Sequence, residues 1–224
     1  MIEGSLNRLD SGQRSSSYVL AACLLCCVGF GLVAALVSAG ALETFDERTA
    51  SFVQSWESPG ITAAMKAITS LGYGWVTVLV CVAFLLFQFF VLRQRRELLV
   101  YVAAVAGAGL LNELLKAVFR RARPTVHRIA EAHGFSFPSG HSMISFALFG
   151  MSAYFVWKHV PTGAGRSAVL AAAALLVLLV GLSRIYLGVH YPSDVIGGYL
   201  ASGAWLAAAI RADQRLRRAR DGDA

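Results

Sequence analysis

The 224-residue sequence predicts an all-α fold: a six-helix transmembrane bundle with short interfacial helices between spans 1 and 2. Three observations carry that expectation. The chain is 57% hydrophobic and only 15% charged, with a mean hydropathy of +0.61, which is more apolar surface than a soluble domain of this size buries. Its apolar residues gather into six separate runs, at 18–42, 71–92, 98–115, 142–157, 167–183 and 195–210. Alternating ten-residue patterns are absent, and a backbone in lipid must satisfy its own hydrogen bonds, so the runs are read as helices and not as barrel strands.

The runs at 18–42 and 71–92 contain no charged residue and exceed the ~20 residues needed to cross a hydrocarbon core of about 30 Å. Those at 142–157 and 195–210 are near the short limit. In both, the missing length sits where His141 or Asp194 opens the segment, so these spans are read as having polar outer ends. The N-terminal run is too long for the 7–15-residue apolar region of a cleaved signal peptide and is read as a span. Between the first two runs, Phe45, Phe52, Val53 and Trp56 recur at helical spacing, as do Ile61, Met65 and Ile68, with Asp46, Glu47, Glu57 and Lys66 on the other faces. Pro59-Gly60 separates the two stretches. They are expected to be short helices at the outer interface, either lining the approach to a site or simply packing on the bundle.

Loop charges orient the bundle. With the N-terminus cytoplasmic, the inner segments hold Arg8, Arg14, Arg93, Arg95, Arg96, Lys158, Arg166 and the basic tail from Arg211 to Arg220, outnumbering the cations on the outer side. Both termini are therefore expected inside. The net charge of +7 lies largely in the stretch 120–124 and in that tail, where a basic segment beside anionic lipid suffices; no aromatic-interleaved basic surface points to nucleic acid. Cys23, Cys26, Cys27 and Cys81 fall inside apolar spans without His or carboxylate neighbours, so neither zinc nor a disulfide is expected. Glycines 107, 109, 197, 198 and 203 are read as permitting close helix contact. Without internal repeats, residues 1–224 are read as a single domain.

The chemistry begins at the end of the third run. Lys116 and Arg123 lie seven residues apart, and Pro124 biases Arg123 away from helical geometry, so the helix is expected to fray between them. Both cations can still converge on one anion, Lys as a mobile point charge and Arg as a planar fork. Arg120 and Arg121 have either a headgroup or a catalytic reading. Residues 138–141 (PSGH) place Ser139, Gly140 and His141 just before an apolar helix, where exposed N–H groups form an anion site. The alternative is that Ser139 is an N-cap and His141 a polar interface residue. In residues 183–194, Arg184 adds a second guanidinium, His190 is a candidate nitrogen nucleophile, and Asp194 can accept its other ring N–H. Pro192 suits the first turn of the helix that follows, and Asp194 there gains from the helix dipole. Ionisable groups at membrane depth are costly unless used.

Lys116-x6-Arg123-Pro124, Pro138-Ser139-Gly140-His141 and Ser183-Arg184-x5-His190-x3-Asp194 together resemble the full three-part signature of the type 2 phosphatidic acid phosphatase family, whose catalytic core is shared with vanadium haloperoxidases. The signature spans residues 116–194 with no departure at a key position, and the six-run layout extends the likeness over nearly the whole chain. The resemblance implies a catalytic set of His141, His190 and Asp194. His190 attacks phosphorus to form a phosphohistidine, Asp194 orients it, and His141 is the acid toward the leaving group and then the base for water. Lys116, Arg123, Ser139, Gly140 and Arg184 would bind the phosphate. It also implies no metal and no cofactor, since the cations are supplied by side chains.

The implied substrate is a lipid phosphate at the outer face of the cell (inner) membrane. Compact length and short loops favour undecaprenyl diphosphate, with phosphatidate, phosphatidylglycerophosphate or lipid A as alternatives and a non-enzymatic lipid transporter or scaffold as the rival class. His127, His133 and His159 match no motif position.

Overall fold

The computed structural model describes residues 2–72 and 74–222, with side chains from 16 to 219. The side chains of Arg8, Arg14 and Arg220, used above for orientation, lie outside the described residues. The described residues form eight α-helices: α1 (Ile2–Ser38), α2 (Glu43–Gln54), α3 (Pro59–Thr69), α4 (Trp75–Phe90), α5 (Leu98–Phe119), α6 (Gly140–Trp157), α7 (Gly163–Tyr186) and α8 (Pro192–Gly222), with a 3-10 turn at Ser70–Gly72. Among them there is no strand.

Four helices are long and apolar enough to cross a membrane: 23 residues of α1 (Ser16–Ser38), α5, α7, and Pro192–Ala219 of α8. A fifth crossing arises if α3, its 3-10 turn and α4, bent by 56°, are counted as one broken span. The run at 71–92 thus differs from its expected single helix. Gly74 adopts φ 81° and α4 starts only after it, leaving 16 residues. Helix α6, expected as a span, has 18 residues and falls outside that set. The reason is its surroundings: Met143, Ala147, Leu148, Met151 and Phe155 are fully buried among other helices, so α6 needs no lipid-facing apolar belt and carries serines instead. Helix α1 is the opposite case, with Tyr18, Leu24, Leu25, Val28 and Leu32 all exposed to the surroundings.

Helix α8 packs against α1, α5 and α6, and α6 packs against α5 and α7. Glycines make the closest of these approaches. A Cβ on Gly107 would sit 2.2 Å from the Trp205 ring, and one on Gly197 2.5 Å from the Phe137 ring. One apolar cluster, built on Tyr101, Leu148, Met151, Phe155 and Leu206, joins α5, α6 and α8. A second, built on Val53, Ile185, Tyr186, Leu187, Val189 and Val195, lies under α2, where α7 runs into α8.

The two short helices occur where the spacing placed them. Ser58 caps α3 by accepting from the Ile61 N–H, with Pro59 in the first turn. The apolar stripe of α2 divides: Phe45, Phe52 and Trp56 are exposed and Val53 is buried, while Asp46, on another face, is fully buried as well. A carboxylate can hold that position only because donors surround it, as described below.

Candidate active site

Helix α5 ends at Phe119 with Arg120 in the left-handed region (φ 47°), so the chain turns and Lys116 and Arg123 approach the same space from different directions. Lys116, Arg123, Gly140, His141, Arg184 and His190 line one cavity of about 650 Å³, together with Glu113, Ala117 and the 131–135 loop. Ser139 and Asp194 stand behind its wall, both fully buried. All eight residues singled out from the sequence thus fall in one locality, six in the lining and two in the layer supporting it.

His190 is 2% exposed. Its Nε2 is 3.0 Å from Nη1 of Arg123. A guanidinium only donates, so Nε2 is the acceptor and the ring proton sits on Nδ1. Nδ1 faces Oγ of Ser136 at 3.4 Å and Oδ2 of Asp194 at 3.5 Å. Burial draws the imidazole down to about 4, against the upward pull of Asp194, so the ring is neutral at physiological pH with its Nε2 lone pair directed at Arg123.

Asp194 is held on four sides. Ser136 Oγ donates to Oδ2 at 2.5 Å, the Tyr191 N–H donates to Oδ2 at 2.9 Å, Arg121 Nη1 is 2.7 Å from Oδ1, and His190 completes the set. Its place in the first turn of α8 adds the dipole of the longest helix that touches the site.

Arg123 is tied to the loops as much as to the cavity. Its Nε donates to Gly134 O (3.0 Å), Nη2 to His133 O (2.9 Å) and Nη1 to Val189 O (2.8 Å). Burial lowers this guanidinium from its usual value, partly offset by Asp194. Arg184, 6% exposed, donates from Nη1 to Thr69 Oγ1 at 2.8 Å, while its buried Nε has no partner among the described residues. Gly140 is where the backbone must come close: a Cβ there would lie 2.8 Å from Asn112 Oδ1 and 3.6 Å from Lys116 Nζ. Ser139 has the N-cap geometry, its Oγ accepting from the N–H of Ser142 at 3.4 Å and from its hydroxyl at 3.0 Å. Lys116 has Glu113 at 3.6 Å on the cavity rim.

Several partners of these residues stand outside the motifs. Ser136 lies two residues before Pro138 and had no separate signal. Asn112, one turn before Lys116, is 2% exposed and donates to Pro138 O at 3.0 Å; an amide inside an apolar run was the available clue. Thr69 and Asp46 reach in from the segment between the first two runs. Of the unassigned histidines, His127 pairs with Glu57 at 2.6 Å, His133 lines the cavity, and His159 contacts Phe155 O at 3.1 Å. Among the described residues no group of three or more His, Cys, Asp or Glu side chains could hold a metal ion.

The chain is similar to several known proteins. The chain is 33% identical over 171 residues to phosphatidylglycerophosphatase B of Bacillus subtilis strain 168, covering 76% of this chain and 84% of that protein. It is 34% identical over 161 residues to decaprenylphosphoryl-5-phosphoribose phosphatase of Mycobacterium tuberculosis H37Rv, covering 69% and 81%. Other matches include a lipid A 1-phosphatase and an undecaprenyl-diphosphatase. The crystal structure of a transmembrane PAP2-type phosphatidylglycerolphosphate phosphatase from Bacillus subtilis superposes with a TM-score of 0.80 at 29% identity, covering 86% of this chain and 96% of that one. The family model described as the PAP2 superfamily matches residues 97–218, and the chain belongs to that superfamily of membrane lipid phosphatases.

Proposed function

We propose that this protein hydrolyses the phosphate headgroup of a membrane lipid through a phosphohistidine on His190, without a metal. The observation that carries the reading is the convergence of three cationic side chains, Lys116, Arg123 and Arg184, with His141 and His190 on the walls of one cavity. Like charges brought this close favour a ligand of the opposite sign, so a cavity of this composition suits an anion.

On this reading the reaction has two steps. The phosphoryl oxygens are met by Lys116, Arg123, Arg184 and the backbone at Gly140, while Ser139, buried behind the wall, caps the helix that presents Gly140. The Nε2 lone pair of His190 attacks phosphorus while His141 gives its proton to the departing lipid oxygen. Asp194 stabilises the positive charge that the attack leaves on the imidazole. Water then attacks the phosphohistidine with His141 as base, releasing inorganic phosphate and restoring both rings. Each cationic donor aimed at the transition state is worth ~3 kcal/mol.

Phosphatidylglycerophosphate is the first substrate to test, supported by the Bacillus subtilis relative matched over 84% of its length. Undecaprenyl diphosphate, favoured by compact length and short loops, is the second. We place the six runs as six crossings of the inner membrane within one domain, residues 1–224, with α2 and α3 at the outer interface, both termini cytoplasmic and the cavity on the outer side. Phosphate release by the detergent-solubilised protein from phosphatidylglycerophosphate, undecaprenyl diphosphate and phosphatidate under identical conditions tests the reading. Release that His190→Ala abolishes is expected. Folded protein that releases phosphate from none of them would overturn it.

A further inference from the structure

Asp46 lies on α2, outside residues 97–218, and is fully buried. Its Oδ1 accepts the Ser193 N–H at 2.8 Å, and its Oδ2 accepts the Ser193 hydroxyl at 2.6 Å and Nη2 of Arg121 at 2.8 Å. The other arm of Arg121, Nη1, donates to Asp194 Oδ1 at 2.7 Å and to Ser193 Oγ at 2.8 Å, and the guanidinium lies 4.2 Å from the centre of the Tyr191 ring. One guanidinium is therefore shared by two buried carboxylates, and the second of these faces Nδ1 of His190. A planar fork grips two anions in fixed directions, whereas Lys would supply the charge without the directions.

We propose that Arg121, clamped by Asp46, is a positioning residue for the reaction: it sets the Asp194 carboxylate toward Nδ1 of His190 and divides the charge of that carboxylate, so that the ring stays neutral and nucleophilic. The proposal rests on the reading of His190 as nucleophile. The groups facing His190 are Arg123 at Nε2, Ser136 and Asp194 at Nδ1, and Lys116, His141, Arg184, Glu113 and Glu131 around the cavity. Of the carboxylates among them, Asp194 is the one at the ring. With Arg121 absent, its whole charge falls on the imidazole and favours the protonated, non-nucleophilic form. Burial draws the Arg121 guanidinium down, but Asp194 and Asp46 outweigh it and hold it above its usual value, so the cation is permanent.

The experiment is the pH profile of kcat/KM on one lipid phosphate for the full-length wild type, Arg121→Gln, Arg121→Lys and Asp46→Asn, each with its thermal midpoint in detergent. The substrate's own ionisation is common to all four. The acid limb is expected to rise by about one pH unit or more in Arg121→Gln. It is expected to stay near the wild-type position in Arg121→Lys, which keeps the charge, and not to rise in Asp46→Asn, which leaves Arg121 wholly to Asp194. An acid limb unmoved in folded Arg121→Gln, or raised equally in all three variants, would overturn the proposal. If Arg121→Gln does not fold, a rise in Asp46→Asn overturns it instead. Trapping phosphate on His190 in the wild type separates the two readings: no trapped phosphate defeats the nucleophile itself, whereas trapped phosphate with an unmoved limb defeats only the role of Arg121.

Discussion

Nη1 of Arg123 is 3.0 Å from Nε2 of His190, and a donor-only group at that distance assigns the ring its tautomer. The proton is left on Nδ1, facing Ser136 and Asp194, and the lone pair is left on the nitrogen that a phosphoryl group would meet. Arg123 thus sets the tautomer of His190 and, on the function proposed, adjoins the phosphate as well. Its bonds to Gly134, His133 and Val189 carbonyls fix it in that position.

The depressed value of His190 makes stability depend on pH in a definite direction. In the unfolded chain the ring takes up a proton as pH falls past 6.5, whereas in the fold it does so only near 4. The stability present above pH 6.5 is therefore lost progressively as pH falls through about 4, by up to about 3 kcal/mol. Thermal midpoints of the wild type and His190→Asn between pH 7.5 and 4, a range of about 3.5 units, measure this. The wild type is expected to lose more stability on acidification; parallel curves would contradict the assignment.

Gly140→Ala is expected to reduce kcat by about 10- to 100-fold through displacement of Asn112, which crowds this position beside Lys116. The added methyl would sit 2.8 Å from Asn112 Oδ1. Turnover, read alongside the thermal midpoint, checks this; unchanged turnover would show that the backbone at Gly140 need not approach Lys116.

Arg184→Ala is expected to weaken inhibition by vanadate, a phosphate analogue, by about 100-fold, in line with the loss of one charged, bidentate donor. Arg184→Lys is expected to recover little of it, because a point charge replaces the fork. Equal inhibition constants in all three proteins would remove Arg184 from the anion site.

Because Lys116, Arg123 and Arg184 supply the positive charge, prolonged dialysis against EDTA is expected to leave turnover unchanged. Loss of activity that a divalent cation restores would contradict a metal-free reaction.

The site was legible because its chemistry resides in unusual residue types at helix ends: cations, histidines and a carboxylate beside apolar runs need no tertiary information to be noticed. Ser136 and Asp46 were not legible, since a serine in a loop and an aspartate in a polar helix are ordinary until the fold supplies Asp194, Ser193 and Arg121 as their partners. The same limit applied to the helices. Periodicity located α2 and set Asp46 apart from its apolar stripe, but spacing alone carries no sign that a second face is buried around an ion pair. Helix α6 read as a marginal span because apolar content reports contact with lipid, and this helix is wrapped by protein.

The proposed reaction requires His190 to be the residue whose nitrogen accepts the phosphoryl group. Rapid quenching of the enzyme during turnover of a lipid labelled in its terminal phosphate, followed by peptide mapping under alkaline conditions that preserve phosphohistidine, tests this directly. Label on the peptide containing His190, absent in His190→Asn, is the predicted result. Label on any other residue, or steady turnover by His190→Asn without a labelled intermediate, would contradict it.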